Sequence, residues 1–314
     1  MDTKKVILAG GSGFLGRALA RALMEQGYEP IVLTRKPSDP HDVLWDGRTL
    51  GPWVRELEGA HALVNLTGRS VDCRYTARNR QEILESRIRS VEVLGAAIGD
   101  LRRPPRSWIQ AGSLAVFGDR GDDSADETAQ PGKGFSVEVC RRWESAFAAQ
   151  RLLPTRKVFL RMSFVLGREG GALPTLARFS RQFVGRIGSG RQFVSWVHVE
   201  DVNRIVLWAI ERESVLGTYN ATAPNAVRNE ELMTALRVVQ GRRLAFPLPN
   251  WAVRIGSLLL GTEPELILGG RRGVPSRLLA EGFRFQFPEL STALTDLLGG
   301  AAPEQRLQET RSAG

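Results

Sequence analysis

The run Gly10–Gly11–Ser12–Gly13–Phe14–Leu15–Gly16 spaces glycines as GxxGxxG directly after a short apolar stretch, Val6 to Ala9. Glycine lets the backbone come close to a pyrophosphate. A helix that begins at such a turn aims free N–H groups and the positive end of its dipole at the phosphates. Leu15, Ala18, Leu19, Leu23 and Met24 then recur at helical spacing, and a second apolar run ends at Thr34. The residues that follow choose between the two nicotinamide dinucleotides. A carboxylate there would hold the ribose 2′-hydroxyl of NAD. Arg35 and Lys36 stand there instead, and two cations pair with the 2′-phosphate of NADP. The pattern therefore predicts an NADP(H) site formed by Gly10, Ser12, Gly13, Phe14, Leu15, Gly16, Thr34, Arg35 and Lys36.

Side chains able to move a proton are fewer. Cys140 lies on a helical stretch and could donate from its thiol, although a free cysteine more often behaves as a small buried hydrophobe. His198 lies in "SWVHVEDV", where strand alternation puts it on the same face as Trp196. A lone histidine on such a strand more often serves structure than acid/base chemistry. Asp201 precedes an apolar-periodic run and reads as a helix N-cap. Asn220 and Thr222 suit a cleft or a turn equally well. The acidic loop Gly118–Glu127 reads as solvated and borders the strand that carries Ser113. With three histidines, two cysteines and neither HExxH nor CxxC spacing, no metal site is expected.

These residues need elements to position them. Strand, glycine turn, helix and strand make a βαβ unit, and the alternation goes on. "HALVNLTG" reads as a buried strand, "TARNRQEILESRIRSVEVLGAAIGD" as a long helix, and "SWIQAGSLAVFG" as a strand and loop. "FSVEVCRRWESAFAAQ" reads as a helix and "KVFLRMSFVLG" as a strand. Such alternation predicts an α/β fold of the Rossmann type, a doubly wound parallel sheet. The expected division is a cofactor domain over residues 1–167, with a return segment near 192–225. A smaller C-terminal α/β substrate lobe covers most of 168–300, and 301–314 form a polar, flexible tail.

Composition narrows the function classes. The chain has 314 residues, 42% hydrophobic and 25% charged, as a soluble globular protein would. No apolar run is long enough to span a bilayer, and the N-terminus enters a strand directly, so a cytoplasmic protein without membrane contact is expected. The net charge of +9 invites a nucleic-acid reading. The arginine pairs are scattered, however, and no aromatic-rich RNA-binding signature accompanies them, which argues against nucleic acid as a partner.

The segments "ILAGGSGFLG", "LVNLTG", "SLAVFG", "LRMSFVLG" and "SWVHVEDV" occur in the order and spacing of the extended short-chain dehydrogenase/reductases, the NAD-dependent epimerase/dehydratase superfamily. "WDG", "GDRGD", "VCRRWE", "GSGRQFVSWVHVEDV" and "NATAPNAVRNEEL" further resemble an atypical branch that ends in a small domain of unknown function. The resemblance runs to about Leu298. It implies that Ser113, four residues before Phe117, hydrogen-bonds a substrate carbonyl or hydroxyl, and it adds Leu66, Thr67 and Gly68 to the cofactor residues. It also implies a catalytic tyrosine with a lysine four residues on, and this chain departs from that. Its three tyrosines, Tyr28, Tyr75 and Tyr219, are followed at that spacing by Val32, Asn79 and Ala223.

Besides a structural or nucleic-acid-associated protein with a relic cofactor site, two readings follow. One is an NADP(H)-dependent oxidoreductase or epimerase-like enzyme on a small molecule, with a non-standard proton donor: Ser113, Glu138, Cys140 or water. The other is a non-catalytic NADP(H)-binding redox sensor or partner-regulated module. In nucleotide-sugar relatives an arginine four residues before the position of His198 grips the diphosphate. Val194 stands there, so the substrate is expected not to be a nucleotide sugar. Arg191, Trp196 and Arg271 are the expected substrate-binding residues.

Overall fold

The computed structural model describes residues 4–152, 154–261 and 263–299; the expected 301–314 tail lies outside them. Seven strands form one parallel sheet: β1 (Lys4–Ala9), β2 (Tyr28–Thr34), β3 (Asp42–Leu44), β4 (Ala62–Asn65), β5 (Ser107–Ser113), β6 (Arg156–Met162) and β7 (Gly217–Ala221). Their spatial order is β7-β6-β5-β4-β1-β2-β3. Connections run outward in both directions from β1 and β4, so the topological switch point lies between these two strands. Ala9 is level with both Leu33 and Asn65, which brings the carboxyl ends of β1, β2 and β4 to one line. A crevice outside that line is where an open α/β sheet takes its ligand.

Strand alternation divides the core. Val6 and Leu8 face one side, with Leu19 and Leu23 of α1 (Phe14–Glu25). Ile7 and Ala9 face the other, with Val91, Leu94 and Ile98 of α2 (Ala77–Gly99) and Trp143 and Phe147 of α3 (Phe135–Ala149). Each such aliphatic side chain contributes about 1.5–3 kcal/mol on burial, so the sheet is anchored on both faces, as a parallel sheet requires.

The smaller lobe has its own apolar core. It joins Leu173 of α4 (Leu173–Arg181), Leu232, Met233 and Leu236 of α6 (Asn229–Val239), and Leu290, Leu294 and Leu297 of the helix Leu290–Leu298. Between α4 and α6 the chain returns to the main sheet. The helix α5 (Val199–Glu211) lays Val202, Ile205, Val206 and Ala209 on the β1 face, and β7 becomes the edge strand beside β6. No helix among the described residues is long and apolar enough to cross a membrane.

Three local features differ from the sequence reading. "KVFLRMSFVLG" is two strands: β6 ends at Met162, and Phe164–Gly167 joins Trp196–His198 in a separate small sheet. The short strand β3 carries no alternation signal because only three residues pair. Asp201 does not cap α5. His198 is the N-cap, and Asp201 sits fully buried in the first turn, accepting hydrogen bonds from the backbone N–H of Gln286 (2.7 Å) and Phe287 (2.9 Å).

Candidate active site

The β1–α1 turn is shaped by what surrounds each glycine. Gly10 has φ +73°, and a Cβ there would meet the Thr67 backbone at 3.0 Å. At Gly16 a Cβ would lie 2.1 Å from the Gly11 carbonyl oxygen, so only glycine lets α1 sit this close to the turn. Gly13 differs: its φ is ordinary, and a Cβ would meet nothing within 4 Å. The open side of Gly13 is at the start of α1, whose first turn has no acidic residue and no side-chain cap. Those free N–H groups are the ones a pyrophosphate would take.

Ser12 and Thr34 hold the turn against β2. Thr34 Oγ1 donates to Ser12 Oγ at 3.0 Å, and the Lys36 N–H donates to Thr34 Oγ1 at 3.3 Å. Asn65, buried at the end of β4, accepts from the Thr67 N–H at 3.0 Å and fixes the next turn. The resulting cleft encloses about 390 Å³ and is lined by Gly10, Ser12, Gly13, Thr34, Arg35, Leu66, Thr67 and Gly68. Thr67 Oγ1 is buried there without a hydrogen-bond partner among the described residues. Arg35 and Lys36 are both exposed, and Arg35 lines the cleft. The side chain of Phe14 points elsewhere, against Gly167 and Gly170, and that of Leu15 packs in the core, so at these positions only the backbone faces the turn.

Sequence reasoning missed the third wall of the cleft. After β3, Trp45 packs on Trp53 with ring centroids 5.1 Å apart, and Asp46 folds the chain back by accepting from the Arg48 and Thr49 N–H groups. Arg48 thereby joins Arg35 on the cleft. "WDG" was the available signal, since an Asp–Gly pair before a cation marks a turn.

A second cavity of about 200 Å³ adjoins the cleft. The loop after β4 connects them: Leu66 to Ser70 line the cleft, while Val71 and Tyr75 line the cavity. Helix α2 forms a shared wall, with Glu82 and Ser86 on the cleft side and Ile83 and Arg87 on the cavity side. Ser113, Cys140 and Arg271 all reach this cavity, as do Ser136, Ser163 and Ser195. Ser113 ends β5, and its Oγ accepts from the Ala115 N–H at 3.1 Å, which leaves its proton free to be donated. Burial pushes the Cys140 thiol up to about 12, so it stays protonated and packs with Leu114, Val116 and Phe117.

Tyr75 was passed over in the sequence because no lysine follows it. Its ring lies edge-on to Phe135 at 4.9 Å, at the start of α3, with its hydroxyl beside Ser136. Burial, aided by Glu265, Cys73 and Glu263, raises the phenol above its ordinary value against the opposing effect of Ser136. It is therefore protonated at neutral pH and able to give a proton.

Four expected site residues are turned elsewhere. Glu138 is drawn outward by Arg142, with which it pairs at 2.6 Å. Trp196 is fully buried in the core of the smaller lobe, its indole N–H donating to the Asn225 carbonyl at 2.9 Å. Arg191 is exposed on a turn and lines neither the cleft nor the cavity. His198 Nδ1 accepts from the Glu200 N–H at 3.0 Å, so its proton resides on Nε2, which faces Asp296 Oδ2 at 3.3 Å. This imidazole caps the helix and lines neither the cleft nor the cavity.

A glycine turn at the switch point of a doubly wound sheet, with a cleft outside the carboxyl ends of its strands, defines a dinucleotide-binding protein of the Rossmann class. The chain belongs to the NAD-dependent epimerase/dehydratase family, whose model matches residues 6–221, and a domain of unknown function, DUF1731, matches 248–297. It is 35% identical over 303 residues to the epimerase family protein SDR39U1 of Bos taurus, covering 94% of this chain and 99% of that one. Epimerase family protein YfhF of Bacillus subtilis is 30% identical over 301 residues, with 93% and 97% covered. Among solved structures, human SDR39U1 (isoform 2) with NADPH superposes with a TM-score of 0.85 at 31% identity, covering 95% and 100% of the two chains. A nucleoside-diphosphate sugar epimerase from Corynebacterium glutamicum gives 0.80 at 29% identity, covering 99% of this chain and 62% of that one.

Proposed function

We propose that this protein is an NADP(H)-dependent oxidoreductase acting on a small molecule held in the cavity beside the cofactor cleft. The observation that carries this reading is that one loop and one face of α2 wall both spaces: Arg35 and Arg48 line the cleft on one side, and Ser113 and Tyr75 line the cavity on the other. Gly13 and the start of α1 would take the pyrophosphate, and Arg35, Arg48 and Lys36 the 2′-phosphate. When bound, the nicotinamide supplies a hydride donor or acceptor.

The chain's own residues do the rest. Ser113 donates to the substrate oxygen and fixes its position. Tyr75 gives the proton in reduction and takes it back in oxidation, replacing the family's missing pair from a different element. Val71, Ile83, Leu114, Val139 and Trp143 keep water from the reacting carbon. The human relative solved with NADPH supports the choice of cofactor.

The test is fluorescence titration of both reduced cofactors. NADPH is expected to bind at least about tenfold more tightly than NADH, a difference of about 1.4 kcal/mol, and Arg35→Asp should erase that preference. Equal affinities in the wild type would end the NADP(H) reading. NADPH that binds but is not consumed across a broad carbonyl panel would favour a sensor over an enzyme.

A further inference from the structure

The cavity beside the cofactor cleft contains two guanidinium groups without carboxylate partners among the described residues. Arg271 enters from the smaller lobe. Its backbone is fixed on both sides: its N–H donates to the Phe193 carbonyl at 2.9 Å, and its own carbonyl accepts from Ser195 Oγ at 2.8 Å. The side chain has no such ties. Its Nε is sealed from solvent without a hydrogen-bond partner among the described residues. Glu265 and Asp119 lie near enough to be felt but not to pair.

Arg87 enters from α2. It donates through Nη1 to the backbone carbonyls of Arg69 (3.1 Å) and Ile83 (2.9 Å), and its guanidinium lies over the Trp143 ring at 5.1 Å from the centroid. These contacts orient the cation without neutralising it. Burial lowers both arginines from their ordinary value. A buried cation with no acid beside it is costly unless a ligand supplies the negative charge.

The remaining wall decides what kind of anion fits. Val71, Ile83, Leu114, Val139, Met162 and Phe164 are apolar. At about 200 Å³ the space suits a small body, with room for one charged end. A phosphate ester carries more charge and a larger hydration shell than this surface would replace. A carboxylate with an apolar chain satisfies both parts of the wall, and arginine binds carboxylates through paired, charge-assisted hydrogen bonds.

We infer that the cavity is a binding site for a small monocarboxylate with an apolar body, its carboxylate held by Arg271 and Arg87. This rests on the oxidoreductase reading above for its meaning as a substrate site. It specifies that the substrate carries its reactive carbonyl or alcohol on an apolar carboxylic acid, with Ser113 at the oxygen and the arginines at the carboxylate.

The test is calorimetry with three probes, hexanoate, hexanamide and inorganic phosphate, each titrated into protein with and without saturating NADP⁺. Hexanoate is expected to bind at least about tenfold more tightly than its neutral amide. Arg271→Gln should remove that difference, Arg271→Lys should restore part of it, and NADP⁺ affinity should stay the same in both variants. Equal binding of acid and amide would overturn the inference, as would tighter binding of phosphate than of hexanoate. A parallel loss of NADP⁺ affinity in Arg271→Gln would assign the guanidinium to the cofactor and overturn it too. Failure of NADP⁺ itself to bind would count against the cofactor reading alone, because the hexanoate titrations without NADP⁺ still report on the arginines. Should Arg271→Gln not fold, the acid-against-amide comparison in the wild type and in Arg271→Lys decides the matter.

Discussion

At the scale of single residues, the proposed proton donor is the Tyr75 phenol, in place of a tyrosine that the family frame leads one to seek on α3. A positioned general acid contributes about 10²–10⁴-fold to rate. Tyr75→Phe keeps the edge-on contact with Phe135 and removes only the hydroxyl. It is expected to lower NADPH-dependent turnover at least about 100-fold while leaving NADPH affinity and the thermal midpoint close to wild type. Steady-state kinetics beside a cofactor titration checks this, and an unchanged rate would assign the proton to Ser113 or to water. Ser113 was legible in the sequence because it sits at a fixed distance from Phe117 on a continuous strand. Tyr75 and Arg87 were not, since their roles depend on how a loop and a helix meet α3 from far along the chain. Glu138 and Trp196 failed for the converse reason. Sequence distance placed them near the site, and a local partner, Arg142 or the carbonyl of Asn225, turned each side chain away.

At the scale of elements, the β1–α1 turn shows how one motif divides its work between folding and binding. Gly16 is required by the fold, because its Cβ would collide with the Gly11 carbonyl, whereas Gly13 has open space and an ordinary φ. Gly16→Ala is therefore expected to cost about 1–3 kcal/mol in denaturant unfolding, the usual range for overpacking. Gly13→Ala should leave stability within about 0.5 kcal/mol of wild type, yet weaken NADPH at least about tenfold by placing a methyl where the pyrophosphate must come. Equal cofactor affinity in Gly13→Ala would show that the phosphates lie elsewhere. The glycine spacing was readable as a motif, but the separate duties of its members were not. The parallel sheet and its flanking helices were readable because apolar periodicity changes with each element. The break at Ser163 was hidden, since β6 and the strand after it are both apolar and only their partners differ.

At the scale of the whole molecule, the two lobes meet where α5 begins, and buried polar groups tie them there. Asp201 on α5 holds the backbone of Gln286 and Phe287, and His198 both caps α5 and stacks on Phe287 with ring centroids 3.9 Å apart. The same lobe carries Arg271 to the cavity. Burial lowers His198 from its ordinary value of 6.5, with Asp296, Asp201 and Glu200 pulling it only partly back. Its neutral form belongs to the fold, because a protonated Nδ1 could not accept from the Glu200 N–H. The stability it contributes is thus fully present above 6.5 and drains away as pH falls below that value toward the lowered one. Asp201 works in the opposite sense. Burial outweighs its two backbone bonds and raises its carboxyl from 3.8, so protonating it in acid relieves a buried charge. Thermal unfolding of the wild type should therefore be compared with His198→Asn, which keeps a good helix cap and has no titrating ring. As pH falls below 6.5 the wild type is expected to lose more stability than the variant. Parallel curves for the two proteins would remove His198 from the seam and leave Asp201 as the group that joins the lobes.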